Sequence, residues 1–219
     1  MNDANICVFD FETCGEMVWK NNVLDASVVY PIEIACVLVE PRKLSIIPGS
    51  EFVSTMRPPA GCVMNKQALE TNGKKEEDIR AYPTDTNTVW KMFCEHVKRF
   101  NIKRPPIAAG KNIRTFDLPI ANWLCHQIGH VDKDGNQKLF DNRRTLDLED
   151  FLFHWFENST DIDNLKMDTV RPFYGLSSKN AHTALKDVQD TAKLIVYHLN
   201  MYRRAYPKAK LKGAFACKK

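Results

Sequence analysis

Ile6-Cys7-Val8-Phe9 is an unbroken apolar run that stops at Asp10-Phe11-Glu12. A short run of this kind, bounded by charge, reads as a strand covered on both faces, as found inside α/β sheets. Side chains alternate along a strand, so Asp10 and Glu12 share one face and Phe11 takes the other. The two carboxylates lie roughly 7 Å apart and repel each other unless something positive stands between them. A divalent cation suits the pair, because Mg²⁺ prefers oxygen ligands and usually takes one or two carboxylates from an element. Taken alone, D-x-E also describes a solvated strand end.

Two further strand-like runs follow, PIEIACVLVE from Pro31 and residues 46–56, with Pro41-Arg42 and Pro48-Gly49 as turns between antiparallel neighbours. Helical spacing then dominates. Val89, Phe93, Val97 and Phe100 mark a helix over 84–100, and Leu118, Ala121, Leu124, Cys125 and Ile128 mark the next. Short strands are expected at 105–109 and 144–146. Leu148, Phe151, Leu152, Trp155 and Phe156 fit another amphipathic helix, and a last long one spans 184–202. Residues 161–169 are polar and show no clear period. This order predicts one α/β domain over 1–202, with a mixed sheet of three antiparallel strands and then parallel ones, flanked by helices.

At 219 residues the chain can bury a core without disulfides or a structural metal. It holds no run of about 18 apolar residues, and Met1 to Ala4 lack a secretory pattern, so no membrane association is expected. Its seven cysteines (7, 14, 36, 62, 94, 125 and 217) are odd in number and form no C-x-x-C pair. That usage fits free thiols in a reducing, cytoplasmic setting and gives zinc no support. The net charge of +4 is uneven. Seven basic residues and no acidic ones follow Met201; removing those seven from the chain's 31 leaves 24 basic against 27 acidic residues. The segment 203–219 therefore reads as a basic tail, either a contact for a polyanion or a disordered, solvated end.

Two more segments carry acids. Asp117 in GKNIRTFDLPI stands where a strand hands over to a helix, and capping by Thr115 or Asp117 is its ordinary reading. AHTALKDVQDT holds His182 and Asp187. Five residues apart on one helix would put them about 140° apart, so His182 must precede the helix if the two act together. Asp187 could also simply favour the helix dipole. Asp190 reads as a residue of a solvated helix face, with support of Asp187 as the other possibility.

VFDFET, GKNIRTFDLPI and AHTALKDVQDT, in this order, resemble the three motifs of the DEDDh 3′–5′ exonucleases, the group of proofreading, oligoribonuclease-like and RNase T-like enzymes. The match spans Val8 to Thr191. IEIACVLVE and ALETNGKKEEDI are similar to the family's second strand and to the segment after its third. A sister group has tyrosine four residues before the last aspartate; Thr183 stands there, so the histidine group fits. The stretch 14–30 departs from the family's short turn and carries Met17 and Trp19, which could stack on a terminal base or merely decorate a surface loop.

The resemblance implies a ribonuclease H-like fold and two-metal phosphodiester hydrolysis with Mg²⁺ or Mn²⁺, releasing nucleoside 5′-monophosphates. It assigns Asp10, Glu12 and Asp187 to one ion, with Asp10 bridging, Asp117 to a second, and His182 as general base. Phe11, Thr13, Trp19 and Asn112 are the candidate substrate-contacting positions, and Arg143-Arg144 a candidate phosphate contact. The expected partner is a single-stranded nucleic-acid 3′ end, DNA ahead of RNA, with a second copy of the chain or a polymerase as further candidates. A catalytically silent nucleic-acid-binding or polymerase-associated module of the same fold is the alternative.

Overall fold

The structure is a computed structural model that describes residues 4–15, 17–100, 103–179 and 183–208. The first half comprises β1 (Ile6–Thr13), a small hairpin of β2 (Trp19–Lys20) and β3 (Val23–Leu24), then β4 (Pro31–Glu40), β5 (Ser45–Ile46) and β6 (Phe52–Thr55). Helices α1 (Lys66–Thr71), α2 (Glu76–Arg80) and α3 (Thr86–Phe100) lead to β7 (Ile107–Gly110) and α4 (Asp117–Gln127). The chain ends with β8 (Thr145–Asp147), α5 (Leu148–Phe156), α6 (Met167–Phe173) and α7 (Ala184–Ala205), followed by a 3₁₀ turn, Tyr206–Lys208.

Strand β1 lies in the middle of a mixed sheet ordered β5-β4-β1-β7-β8, with β6 also on the outer side of β4. It runs antiparallel to β4 and parallel to β7, and β7 runs parallel to β8. The expected α/β fold with an antiparallel first half is thus present. The single third strand expected over 46–56 is two short ones instead. Pro48-Gly49 makes a turn there, with Gly49 at φ +74°. The buried Ser50 hydroxyl accepts the Leu38 N–H at 3.0 Å, filling the gap in the edge. Residues 161–169, which showed no period, contain the start of α6.

Alternation along β1 sets up two layers. Cys7, Phe9 and Phe11 join Val89, Trp90 and Phe93 of α3 and Leu124 of α4 in one core. Ile6 and Val8 join Leu148 and Leu152 of α5 and Val188, Ala192 and Ile195 of α7 in the other. The last helix runs past the expected end at 202, and Arg203 donates to the carbonyls of Pro41 and Arg42. Residues 209–219 of the basic tail lie outside the described residues. Among the described residues, no helix is long and apolar enough to cross a membrane.

Phe9 is 1% exposed and stacks on Phe140 with ring centroids 5.0 Å apart. Phe9→Ala would leave a cavity beneath the strand that carries the acids. It should destabilise the chain by about 3–5 kcal/mol, read as a lower urea midpoint at constant m.

Candidate active site

Asp10 and Glu12 continue the face of β1 that Ile6 and Val8 bury against α7, so both acids look toward the helix that carries Asp187. Glu12 stands directly opposite Glu33 of β4, and the register slips between Glu12 and Thr13. Like charges across a strand pair are unfavourable. Lys74, from the turn after α1, ion-pairs with Glu33 and offsets part of that repulsion.

Asp117 reaches β1 from the opposite side. Strand β7 accompanies β1 only as far as Val8. At Gly110 the chain leaves the sheet so closely that an added Cβ would lie 3.0 Å from the Phe9 carbonyl oxygen. Beyond that point the Phe11 N–H donates to Asp117 Oδ1 at 2.9 Å. Asp117 is 1% exposed, and the N-cap of its helix is Phe116, which makes no side-chain capping bond. The capping reading is therefore set aside: the carboxylate stitches α4 to β1.

Asp147, which the sequence reading passed over, shapes the intervening loop. Its carboxylate accepts the N–H groups of Asn112 at 2.8 Å and Arg114 at 3.3 Å, and it also caps α5 through Glu149. An aspartate followed by Leu-Glu-Asp at a helix start was the available signal. Asn112 is exposed at φ +57°, and its side chain accepts the Thr115 hydroxyl. It shapes this loop and does not line the cleft described below.

Asp187 lies in the first turn of α7. Arg171 of α6, 1% exposed, brings Nη2 to within 2.5 Å of its Oδ1. The same guanidinium places Nε 3.1 Å from Asp190 and Nη1 3.4 Å from Asp168. Asp190 is 0% exposed and also ion-pairs with Lys186 and Lys193, which corrects its reading as a solvated residue. Burial alone would raise the Asp190 carboxyl, but Lys186 and Arg171 hold it below the usual range. Nothing in the sequence singled out Arg171, a lone arginine in a short helix. His182 lies outside the described residues.

These acids share one field. Burial and then Asp117, Glu12, Asp187 and Glu33 push the Asp10 carboxyl well above the ordinary range. Burial also raises Asp117 against the lowering effect of its N–H donors, with Asp147 and Glu12 adding to the rise. An all-oxygen donor set with this surplus of negative charge fits a hard divalent cation. Among the described residues, no three His, Cys, Asp or Glu side chains stand ready to enclose one. The fit therefore rests on donor chemistry and on the charge that Asp10 and Asp117 share.

A cleft of about 570 Å³ opens beside the acids. Asp10 to Thr13 line one side, and Asn65, Thr71 and Asn72 another. Asn72 Nδ2 donates to the Thr13 carbonyl at 2.8 Å, tying the two sides together. Met17 lines the cleft, whereas Trp19 sits on β2, 47% exposed, and does not. The Phe11 ring is buried against Phe9 and Trp90. Arg143 and Arg144 line a separate hollow near Ile6.

A family model described as exonuclease, of the RNase T type, matches residues 7–195. The chain belongs to this exonuclease family. As a DEDDh-type domain it also resembles solved exonuclease folds at low identity. E. coli exonuclease I in complex with a dT13 oligonucleotide superposes with a TM-score of 0.69 at 13% identity, covering 94% of this chain and 43% of that one. Cell-death related nuclease 4 gives 0.66 at 14%, covering 90% and 64%. The 3′-exonuclease that recognises the histone mRNA stem-loop gives 0.63 at 15%, covering 92% and 84%. The chain thus spans less than half the length of the E. coli exonuclease I it matches. No curated protein matches it by sequence.

The raised Asp10 value has a sign that can be read in solution. As pH rises past the ordinary aspartate value of 3.8, the unfolded chain releases its proton before the folded chain does. The stability that Asp10 contributes is complete below about pH 4 and is lost as pH climbs through the higher folded value. In chelating buffer, the Tm of Asp10→Asn relative to wild type should therefore increase between about pH 4 and pH 8. Circular-dichroism melts check it; a flat difference would contradict the shared field.

Proposed function

We propose that this chain is a divalent-metal-dependent 3′–5′ exonuclease acting on single-stranded nucleic acid, DNA ahead of RNA, and releasing nucleoside 5′-monophosphates. The observation that carries this reading is the approach of Asp10, Glu12, Asp117 and Asp187, from three separate elements, to one end of β1 beside a cleft. Membership of the exonuclease family supports the activity. Likeness to exonuclease I complexes with dT13 and dA16 supports a DNA strand, and likeness to the histone mRNA exonuclease keeps RNA as the second polymer.

In this mechanism Asp10, Glu12 and Asp187 would hold one cation, Mg²⁺ or Mn²⁺, and Asp117 would help hold a second. When bound, the ions supply positive charge to the scissile phosphate and to the departing oxygen. His182 takes a proton from the attacking water, a task that suits an imidazole near neutral pH. The water oxygen forms the new bond to phosphorus, and the bond from phosphorus to the 3′ oxygen breaks, its electron pair leaving with that oxygen. The cleft receives the terminal nucleotide, with Met17 against the base and Thr13, Asn65 and Asn72 offering polar contacts. Gly15 keeps this rim in place. An added Cβ would lie 2.2 Å from the Val28 carbonyl oxygen, so only glycine fits.

The direct test is purified chain with Mn²⁺ on end-labelled single-stranded DNA, RNA and duplexes. The expected products are mononucleotides, with a blocked 3′ end resisting attack. Internal cuts in the blocked substrate would mean an endonuclease, and binding without cleavage would mean a silent module. Asp10→Ala should abolish turnover. His182→Ala should lower kcat by about 10²–10⁴-fold with metal binding nearly intact; a collapse of metal affinity would make His182 a ligand instead.

A further inference from the structure

We infer that Arg171 is a positioning residue for the metal site, holding Asp187 in the orientation from which it can serve as a ligand; the inference rests on the exonuclease reading. The geometry is specific. A guanidinium is a rigid fork, and here two of its arms are committed to two carboxylates of the same helix, Nη2 to Asp187 and Nε to Asp190. Asp187 and Asp190 are one turn apart on α7, so the fork spans that turn. Asp190 has no solvent exposure and is further held by Lys186 and Lys193. The fork therefore hangs from a fixed point at Asp190 and presents Nη2 to Asp187, while Nη1 makes a longer contact of 3.4 Å with the exposed Asp168.

The need for such a device follows from the field at the site. Asp10 and Glu12 lie on the face of β1 that packs against α7, so like charge acts to turn Asp187 away from them. A side chain in the first turn of a helix has other rotamers to adopt. Contact with Arg171 restricts that choice. The acidic cluster needs each member aimed at a shared point, and outer partners of metal ligands commonly supply the aim.

Arg171→Lys separates geometry from charge, because lysine keeps the positive charge and loses the fork. The full chain is titrated with Mn²⁺ by calorimetry without nucleic acid, so the result does not depend on whether the chain degrades DNA or RNA. The Mn²⁺ Kd should rise about 10–100-fold. The Mn²⁺ concentration for half-maximal turnover should move in parallel, a shift that a merely structural role would not produce. Asp190→Asn, which loosens the anchor and leaves Arg171 in place, should act in the same direction. Circular dichroism in chelating buffer identifies any variant that fails to fold. Mn²⁺ affinity within twofold of wild type in a folded variant overturns the inference. A crystal structure of the wild-type chain with Mn²⁺ decides it without variants: Arg171 should still donate to Asp187, and release of Asp187 on metal binding would overturn the assignment.

Discussion

Repulsion among carboxylates is the constraint around which this molecule is arranged. Glu12, Glu33, Asp117 and Asp187 are all close enough to act on Asp10 at the end of a single strand. Left in a flexible chain, such groups would separate. Here the backbone beneath them is fixed by two apolar layers, one on Phe9 and Phe11 and the other on Ile6 and Val8. Burial on that scale, at about 25 cal/mol per Å² of apolar surface, holds β1 against the electrostatic cost. Among the described residues, positive charge meets the cluster at its periphery, as Lys74 beside Glu33 and Arg171 beside Asp187.

Satisfying the backbone and placing the acids are one problem in this fold. Where β7 departs at Gly110, β1 would be left with an inner edge lacking a partner strand. A carboxylate takes the Phe11 N–H at that edge, and the same carboxylate opens α4. Asp147 does related work one strand further out, gathering three backbone N–H groups. Buried N–H groups need acceptors, and acceptors that carry charge make strong bonds.

Most of the architecture was legible because period-2 and period-3.6 patterns report burial directly. The apolar run of β1, the helix from Leu148 and the long last helix are all where those periods put them. The strand over 46–56 was misread as continuous because the consequence of Pro48-Gly49 depends on how Ser50 meets Leu38, a contact between neighbouring strands. The nearness of Glu12, Asp117 and Asp187 to Asp10 was legible through their company in three motifs. Arg171 was not, since a buried arginine in a polar, aperiodic segment differs from an exposed one only by what surrounds it. Asp190 failed for the same reason: its three cations come from two helices. Trp19, on the β2–β3 hairpin, and Asn112, in the loop before α4, were singled out by residue type, and neither is among the residues that line the cleft.

The segment after β1 leaves and returns through a narrow neck. The Cys14 N–H donates to the Tyr30 carbonyl at 3.1 Å and the Gly15 N–H to the Val29 carbonyl at 2.8 Å, with no room for a side chain between them. Beyond that clasp Leu24 and Ala26 return to the same core as Phe9 and Phe11, whereas the hairpin tip from Lys20 to Val23 is exposed. Closing a longer loop costs only about 0.6 kcal/mol for each doubling of its length. The tip of the β2–β3 hairpin at Asn21-Asn22 can therefore lengthen, shorten or exchange its sequence while the acids keep their footing. The clasp that Gly15 allows thus leaves the exposed tip free of the packing that fixes β1, so the surface this loop presents and the footing of the strand can change independently.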